Sequence, residues 1–168
     1  MKNFVSYLVI GLCILSMCLL SNVAEASTPD ISAVAPEEFK TVLRVSEKEL
    51  DTSMLPKAPY AENNTYMVPL RLVAEALGYT VTWDEKSGAV TVEDAYTQMA
   101  TLYDGTAEVS IKGKLKVIDL SREIKNACET VIYDGVTYVP MEFFDEFFNH
   151  SSYKDGVIEI APNMAYLD

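Results

Sequence analysis

Histidine is nearly missing from this chain: His150 stands alone among 168 residues, and a copper centre built on several imidazoles is therefore excluded. Cysteine is scarce too. Of the three, Cys13 and Cys18 lie in the first 26 residues, so Cys128 is the one thiol of the remainder and no disulfide can form within it. Basic residues are outnumbered, 13 against 25 acidic, for a formal net charge of -12. That balance excludes nucleic acid as a partner class, because phosphate binding depends on clustered Lys and Arg. There is no G-x-S-x-G element, no phosphate-cradling glycine loop and no Cys/His metal spacing. The expectation is a chain with no catalytic residues, no cofactor and no metal, whose sequence speaks about fold and compartment.

A long apolar run occurs once, at the start. Met1-Lys2-Asn3 gives a short basic opening, Leu8 to Leu20 is almost unbroken apolar, and Ala24-Glu25-Ala26 supplies the small residues of a cleavage site. The run is shorter than the ~20 residues a spanning helix needs. We expect residues 1–26 to be a signal peptide cleaved after Ala26, leaving a secreted or cell-envelope protein with no stable membrane span. A lipid anchor on Cys18 is the weaker reading, since Met17 stands where a small residue is required. Lys2 and Glu25 cancel, so the mature chain keeps the full charge. Residues 27–40, "STPDISAVAPEEFK", mix prolines and acids without a period and read as a flexible linker.

What the remainder does contain is one pattern written twice. "TYMVPLRLVAEALGYTVTWDEKSGAVTV" runs from Thr65 to Val92, and a fainter version starts at Val136 with a constant offset of 71. In the first, Asn63-Asn64 predicts a tight turn, Thr65–Val68 a strand, and Pro69 the first turn of a helix ending at Leu77 before Gly78. At 100° per residue only Arg71 and Glu75 form a polar stripe, which predicts a helix covered over most of its circumference. Thr80–Trp83 and Ala89–Val92 then read as strands around a turn. In the second, Asp134-Gly135, Val139-Pro140, Glu146 and Asp155 take the matching places, and Val157–Ile160 closes the unit after a turn three residues shorter. Between them, residues 98–118 alternate around Asp104-Gly105, with Ala107, Val109 and Ile111 on one face. Lys112, Lys114 and Lys116 share one face of a strand there and read as a guard on an exposed sheet edge.

"YMVPLRLVAEALGYTVTWD", followed after a turn by "AVTV", resembles the copper amine oxidase N-terminal-like domain, also called a stalk domain. Its core has a valine-proline-leucine-arginine helix start, an alanine-glutamate-alanine-leucine-glycine helix end and a tryptophan-aspartate turn. The likeness is specific over Thr65–Val92 and looser over 41–161. The second unit, "VTYVPMEFFDEFF", departs from it with Glu142 for the arginine, Asn149 for the glycine and Lys154 for the tryptophan. The resemblance implies an α+β fold: antiparallel sheet and hairpins packed around short helices, in two related strand-helix-strand-strand units at 61–93 and 132–161. The domain spans 41–161, with a tail at 162–168. It also implies an exported bacterial module of the kind appended to a catalytic body, holding neither copper nor quinone.

Individual residues leave the task open. Trp83 ends a strand beside a turn, where it reads first as a core plug and second as a saccharide-stacking face. Arg71 and Glu75 read as a helix-surface ion pair, and Glu142, Asp145 and Glu146 as a solvated acidic face. In the second helix, taken at 100° per residue, Phe144 and Phe148 lie nearest Met141 and are expected inside. Phe143 and Phe147 fall at the other edge and are the candidate partner-contact residues; the alternative is that all four are covered. The leading function is a non-catalytic secreted interaction or structural module, binding an unknown extracellular protein or envelope component, with a homodimer among the arrangements left open. A cell-wall saccharide-binding module is the alternative. A wall-polymer hydrolase using Glu142 and Glu146 comes third, because their one-turn spacing offers no cleft.

Overall fold

Alternating strands broken by two-residue turns dictate a protein built of hairpins. The computed structural model describes residues 41–163; the expected signal peptide at 1–26, the expected linker at 27–40 and most of the expected tail at 162–168 lie outside the described residues. In chain order the elements are β1 (Val42–Val45), β2 (Lys48–Glu49), β3 (Tyr60–Glu62), β4 (Thr65–Pro69), α1 (Leu70–Ala76), β5 (Thr80–Asp84) and β6 (Ala89–Glu93). Then come β7 (Gln98–Leu102), β8 (Glu108–Gly113), β9 (Arg122–Lys125), β10 (Val131–Tyr133), β11 (Val136–Pro140), a 3-10 helix (Met141–Phe147), β12 (Asn149–Lys154) and β13 (Val157–Pro162). The protein is thus mostly β with antiparallel sheets and two short helices. β13 runs on into what was expected to be tail.

Four hairpins turn on residue pairs that both have positive φ: Ser46-Glu47, Asn63-Asn64, Asp134-Gly135 and Asp155-Gly156. Such turns match the twist of the flanking strands, and Asn, Asp and Gly enter that region at least cost. The strands form three sheets, ordered β10-β11-β4-β3, β5-β6-β7-β8-β9 and β12-β13-β1-β2. In the first, β4 and β11 pair antiparallel through Val68 and Val139, the two residues related by the offset of 71. That sheet is therefore arranged about a local twofold, with one helix leaving each central strand. β1 departs from the antiparallel expectation and runs parallel to β13, Val42 opposite Val157 and Val45 opposite Ile160. Nearly the whole domain lies between them, so the long connection that a parallel pair requires is already present.

The core collects residues from all three sheets and both helices, among them Leu43, Val45, Leu70, Val73, Val92, Leu102, Ile111, Phe143, Phe144 and Ile160. Burying each such side chain contributes roughly 1.5–3 kcal/mol. Met67, Cys128 and Tyr138 make a smaller second cluster.

The second helix overturns the assignment of Phe143 and Phe147 as exposed contacts. Both are buried, as is Phe144, while Phe148 is the exposed one at 37%. The reason is pitch. In a 3-10 helix residues i and i+3 eclipse, so Met141, Phe144 and Phe147 share an inward row, and Glu142, Asp145 and Phe148 share an outward one; Phe143 stands in the third row with half-buried Glu146 and is buried against the rings of Phe144 and Phe147. A second expectation also fails: β8 lies inside its sheet between β7 and β9, so its lysines guard no edge, and Lys114 and Lys116 stand in the loop beyond its end.

Candidate functional site

Pro69 ends β4 and starts α1, whose Leu70, Val73 and Ala74 turn inward. The predicted cover over most of the helix is incomplete, for Ala76 is exposed and Leu72 half-buried. Arg71 does more than pair with Glu75. Its Nη1 lies 3.5 Å from Glu75 Oε1 and donates a 2.8 Å hydrogen bond to the backbone oxygen of Val81. That bond ties the helix to β5, an edge strand of its sheet.

Val81 and Trp83 are two apart on β5, hence on one face. Val81 is 7% exposed and Trp83 59%, so the cover over that face stops between them. The core reading of Trp83 is thereby corrected: it occupies an inward-facing register position that no element reaches. Trp83, Val81 and Leu72 form one side of an apolar groove of about 320 Å³, and Ile132, Val136 and Thr137 of the β10–β11 hairpin form another. Arg71 and Glu75 are its charged members. The groove takes in neither Phe143 nor Phe147. Ile132 and Val136 escape sequence reasoning because they are distant in the chain from Trp83; the available signal was an aromatic ending a strand that has no partner on one side.

The acidic residues of the second helix are engaged in structure. Glu142 accepts from the Thr65 hydroxyl. Asp145 accepts from the backbone N–H of Ser151 at 2.7 Å and from its hydroxyl at 3.1 Å. Desolvation of the Asp145 carboxylate outweighs those bonds and leaves its pKa raised. Glu146 binds Arg122 through Oε2 at 2.6 Å, and Arg122 also donates to Gln98 Oε1 at 3.2 Å. These contacts join β7 and β9 to the helix, and β9 is an element that sequence reasoning did not find. Glu142 and Asp145 are exposed, as a solvated face requires, and Glu146 is half-buried; all three also act as joints between elements.

A second, polar cavity of about 480 Å³ is lined in part by Glu62, Asn63, Glu108, Asn126 and Cys128. Burial pushes the Cys128 thiol above its ordinary pKa, the reverse of what a nucleophile needs. Copper finds no fit here: among the described residues no three His, Cys, Asp or Glu side chains group as a metal site, and His150 is exposed on β12.

No curated protein and no solved structure matches the chain. The family model described as the copper amine oxidase N-terminal domain matches residues 45–157, which takes in β2 to β12 and both helices. That domain is the non-catalytic N-terminal part of those enzymes. A match over most of the chain, on strands and helices that fold as one set of hairpins, places it: the chain belongs to the copper amine oxidase N-terminal domain family.

Proposed function

We propose that this protein is an exported, non-catalytic binding module that seats a protein partner of the cell envelope or extracellular space in the groove beside Trp83. One observation carries the reading: the single tryptophan faces inward in register yet stands 59% exposed as a wall of an apolar groove. Tryptophan is enriched among residues that dominate binding, where a partner's side chain completes its burial. Aliphatic walls beside an edge strand suit an extended peptide that lays backbone along β5 and an apolar side chain into the groove. A second copy of this chain is one such partner.

The exposed flat face of Trp83, with Arg71 and Glu75 beside it, supports saccharide binding as a second reading. One experiment separates them. The mature chain and its Trp83→Ala variant serve as baits in the native extracellular fraction, and Trp83 emission is followed as soluble wall-glycan fragments are added. The leading reading expects protein bands lost with Trp83→Ala and no emission change with glycan. A glycan-dependent emission shift without such bands transfers the assignment to saccharide. Equal capture by both baits, with no emission change, overturns the groove as a site. Export itself predicts a terminus at Ser27 without lipid, read by intact mass; a lipid-bearing Cys18 terminus overturns it.

A further inference from the structure

The loop joining β8 to β9 displays apolar side chains next to basic ones. Leu115, Val117 and Ile118 are 41%, 94% and 59% exposed, Lys114 and Lys116 alternate with them, and Lys112 stands exposed at the end of β8 just before the loop. Singly exposed apolar residues are ordinary, whereas a cluster marks a contact surface. The loop is held in place at its base. Lys114 N–H donates to Thr97 O at 2.8 Å, its Nζ meets Glu93 at 2.7 Å and Asp94 O at 2.8 Å, and Gly113 N–H donates to Ser121 Oγ at 3.1 Å. A Cβ on Gly113 would stand 2.7 Å from the backbone nitrogen of Leu120, so glycine is what lets the returning strand close this tightly. Lys114 is thereby neutralised, while Lys112 and Lys116 form no ion pair with another described residue.

We propose that this loop docks on the anionic surface of a lipid bilayer, with Val117 and Ile118 entering the headgroup–acyl boundary and Lys112 and Lys116 facing lipid phosphates. A soluble polyanion offers the lysines a partner but leaves the apolar tip in water; an anionic bilayer satisfies both. The chain's charge of -12 does not forbid this approach. At physiological salt, charges farther than about 8 Å from the surface are screened, and the loop's own carboxylate, Asp119 beside Ile118, accepts the Ser121 N–H at 2.9 Å. The site is separate from the groove and does not depend on its reading.

The test is sedimentation of the mature chain with phosphatidylcholine vesicles with and without phosphatidylglycerol. Binding is expected only with phosphatidylglycerol, and weaker as salt rises. The double variant Lys112→Gln/Lys116→Gln should lose on the order of thirty-fold in affinity, at about 1 kcal/mol per lysine, and Val117→Ser/Ile118→Ser at least about tenfold. Lys48→Gln/Lys86→Gln, with the same change of net charge elsewhere, should bind like the parent. Without any variant, anionic vesicles should shield the bonds after Lys112 and Lys116 from trypsin. No binding to anionic vesicles, equal loss in the Lys48/Lys86 control, or soluble poly(glycerol phosphate) binding that survives Val117→Ser/Ile118→Ser each overturns the proposal.

Discussion

The segments 61–93 and 132–161 share an order of elements and differ in how the helix ends. In the first, Leu77 stays right-handed and Gly78 takes the left-handed position at φ 83°, the ordinary glycine close of an α-helix. In the second, the residue matching Gly78 is Asn149, and the left-handed turn moves one place earlier, onto Phe148 at φ 59°. The chain therefore tightens to a 3-10 helix. Asn149 supplies what the missing glycine turn does not: its Nδ2 donates to the backbone oxygens of Phe144 at 2.9 Å and Phe147 at 3.2 Å and to Tyr79 Oη at 2.9 Å. The change of cap goes with a change of pitch, and the pitch puts Phe147 inside and Phe148 outside. The second segment fills its space with phenylalanine, while the first, with a slim aliphatic helix, leaves a groove.

The sharpest way to break this contrast is to hollow both helices. Phe144→Ala should cost about 3–5 kcal/mol and Val73→Ala about 2 kcal/mol in urea unfolding. Equal costs mean that the aromatic side of the core is not the heavier one. Exchanging the caps comes next. Asn149→Gly removes a buried donor from three acceptors and should cost about 1–3 kcal/mol, whereas Gly78→Asn, at an open left-handed site where asparagine is tolerated, should cost less than about 1 kcal/mol. If Asn149→Gly is neutral, the side chain is not what closes the second helix.

A smaller effect distinguishes the segments by sign. Asp94, just past β6, is pushed up by burial, but the hydroxyl of Thr97 and the N–H groups of Thr97, Gln98 and Tyr96 outweigh that and hold it below its ordinary value. Its contribution is present above the unfolded pKa, about 3.9, and is lost as pH falls through the lower folded value. Asp145, raised chiefly by desolvation, acts oppositely: its contribution is complete below about 3.9 and is lost as pH rises through the higher folded value. Unfolding midpoints across that range should show the stability deficit of Asp94→Asn shrinking toward low pH. Those of Asp145→Asn should gain on the parent as pH rises above about 4. Parallel curves for both variants contradict the assignment. The smallest effect belongs to the groove: Trp83→Ala should change stability by less than about 1 kcal/mol because the ring is exposed, and a larger loss would return Trp83 to the core.

Much of this fold was legible in the residues. The Asn-Asn and Asp-Gly pairs place their hairpins, and Ala107, Val109 and Ile111 fall on the buried face as alternation predicts. Legibility ended where a property belongs to a neighbour. A 100° step and a 120° step are both compatible with "MEFFDEFF", and the choice is made by the cap at Asn149 and the sheet beneath. Trp83 has the strand position of a core residue, and its exposure records only that nothing arrives to cover it. Lys112, Lys114 and Lys116 read as an edge guard because β9, with its short Arg122–Lys125 run, carries too little apolar signal to announce a strand outside β8.

The parallel pairing of β1 with β13 bears on how the domain would carry mechanical load. Val42 sits at the start of that pair and Pro162 just past its end, so tension applied to the flanking chain pulls the two strands along their length in opposite directions. Bonds such as Val42 N–H to Gly156 O at 2.9 Å and Ser46 N–H to Ile160 O at 3.0 Å then strain together, in shear, where an antiparallel pair pulled from one end would open rung by rung. A domain clamped in this way resists stretching at the place where the flanking chain would pull.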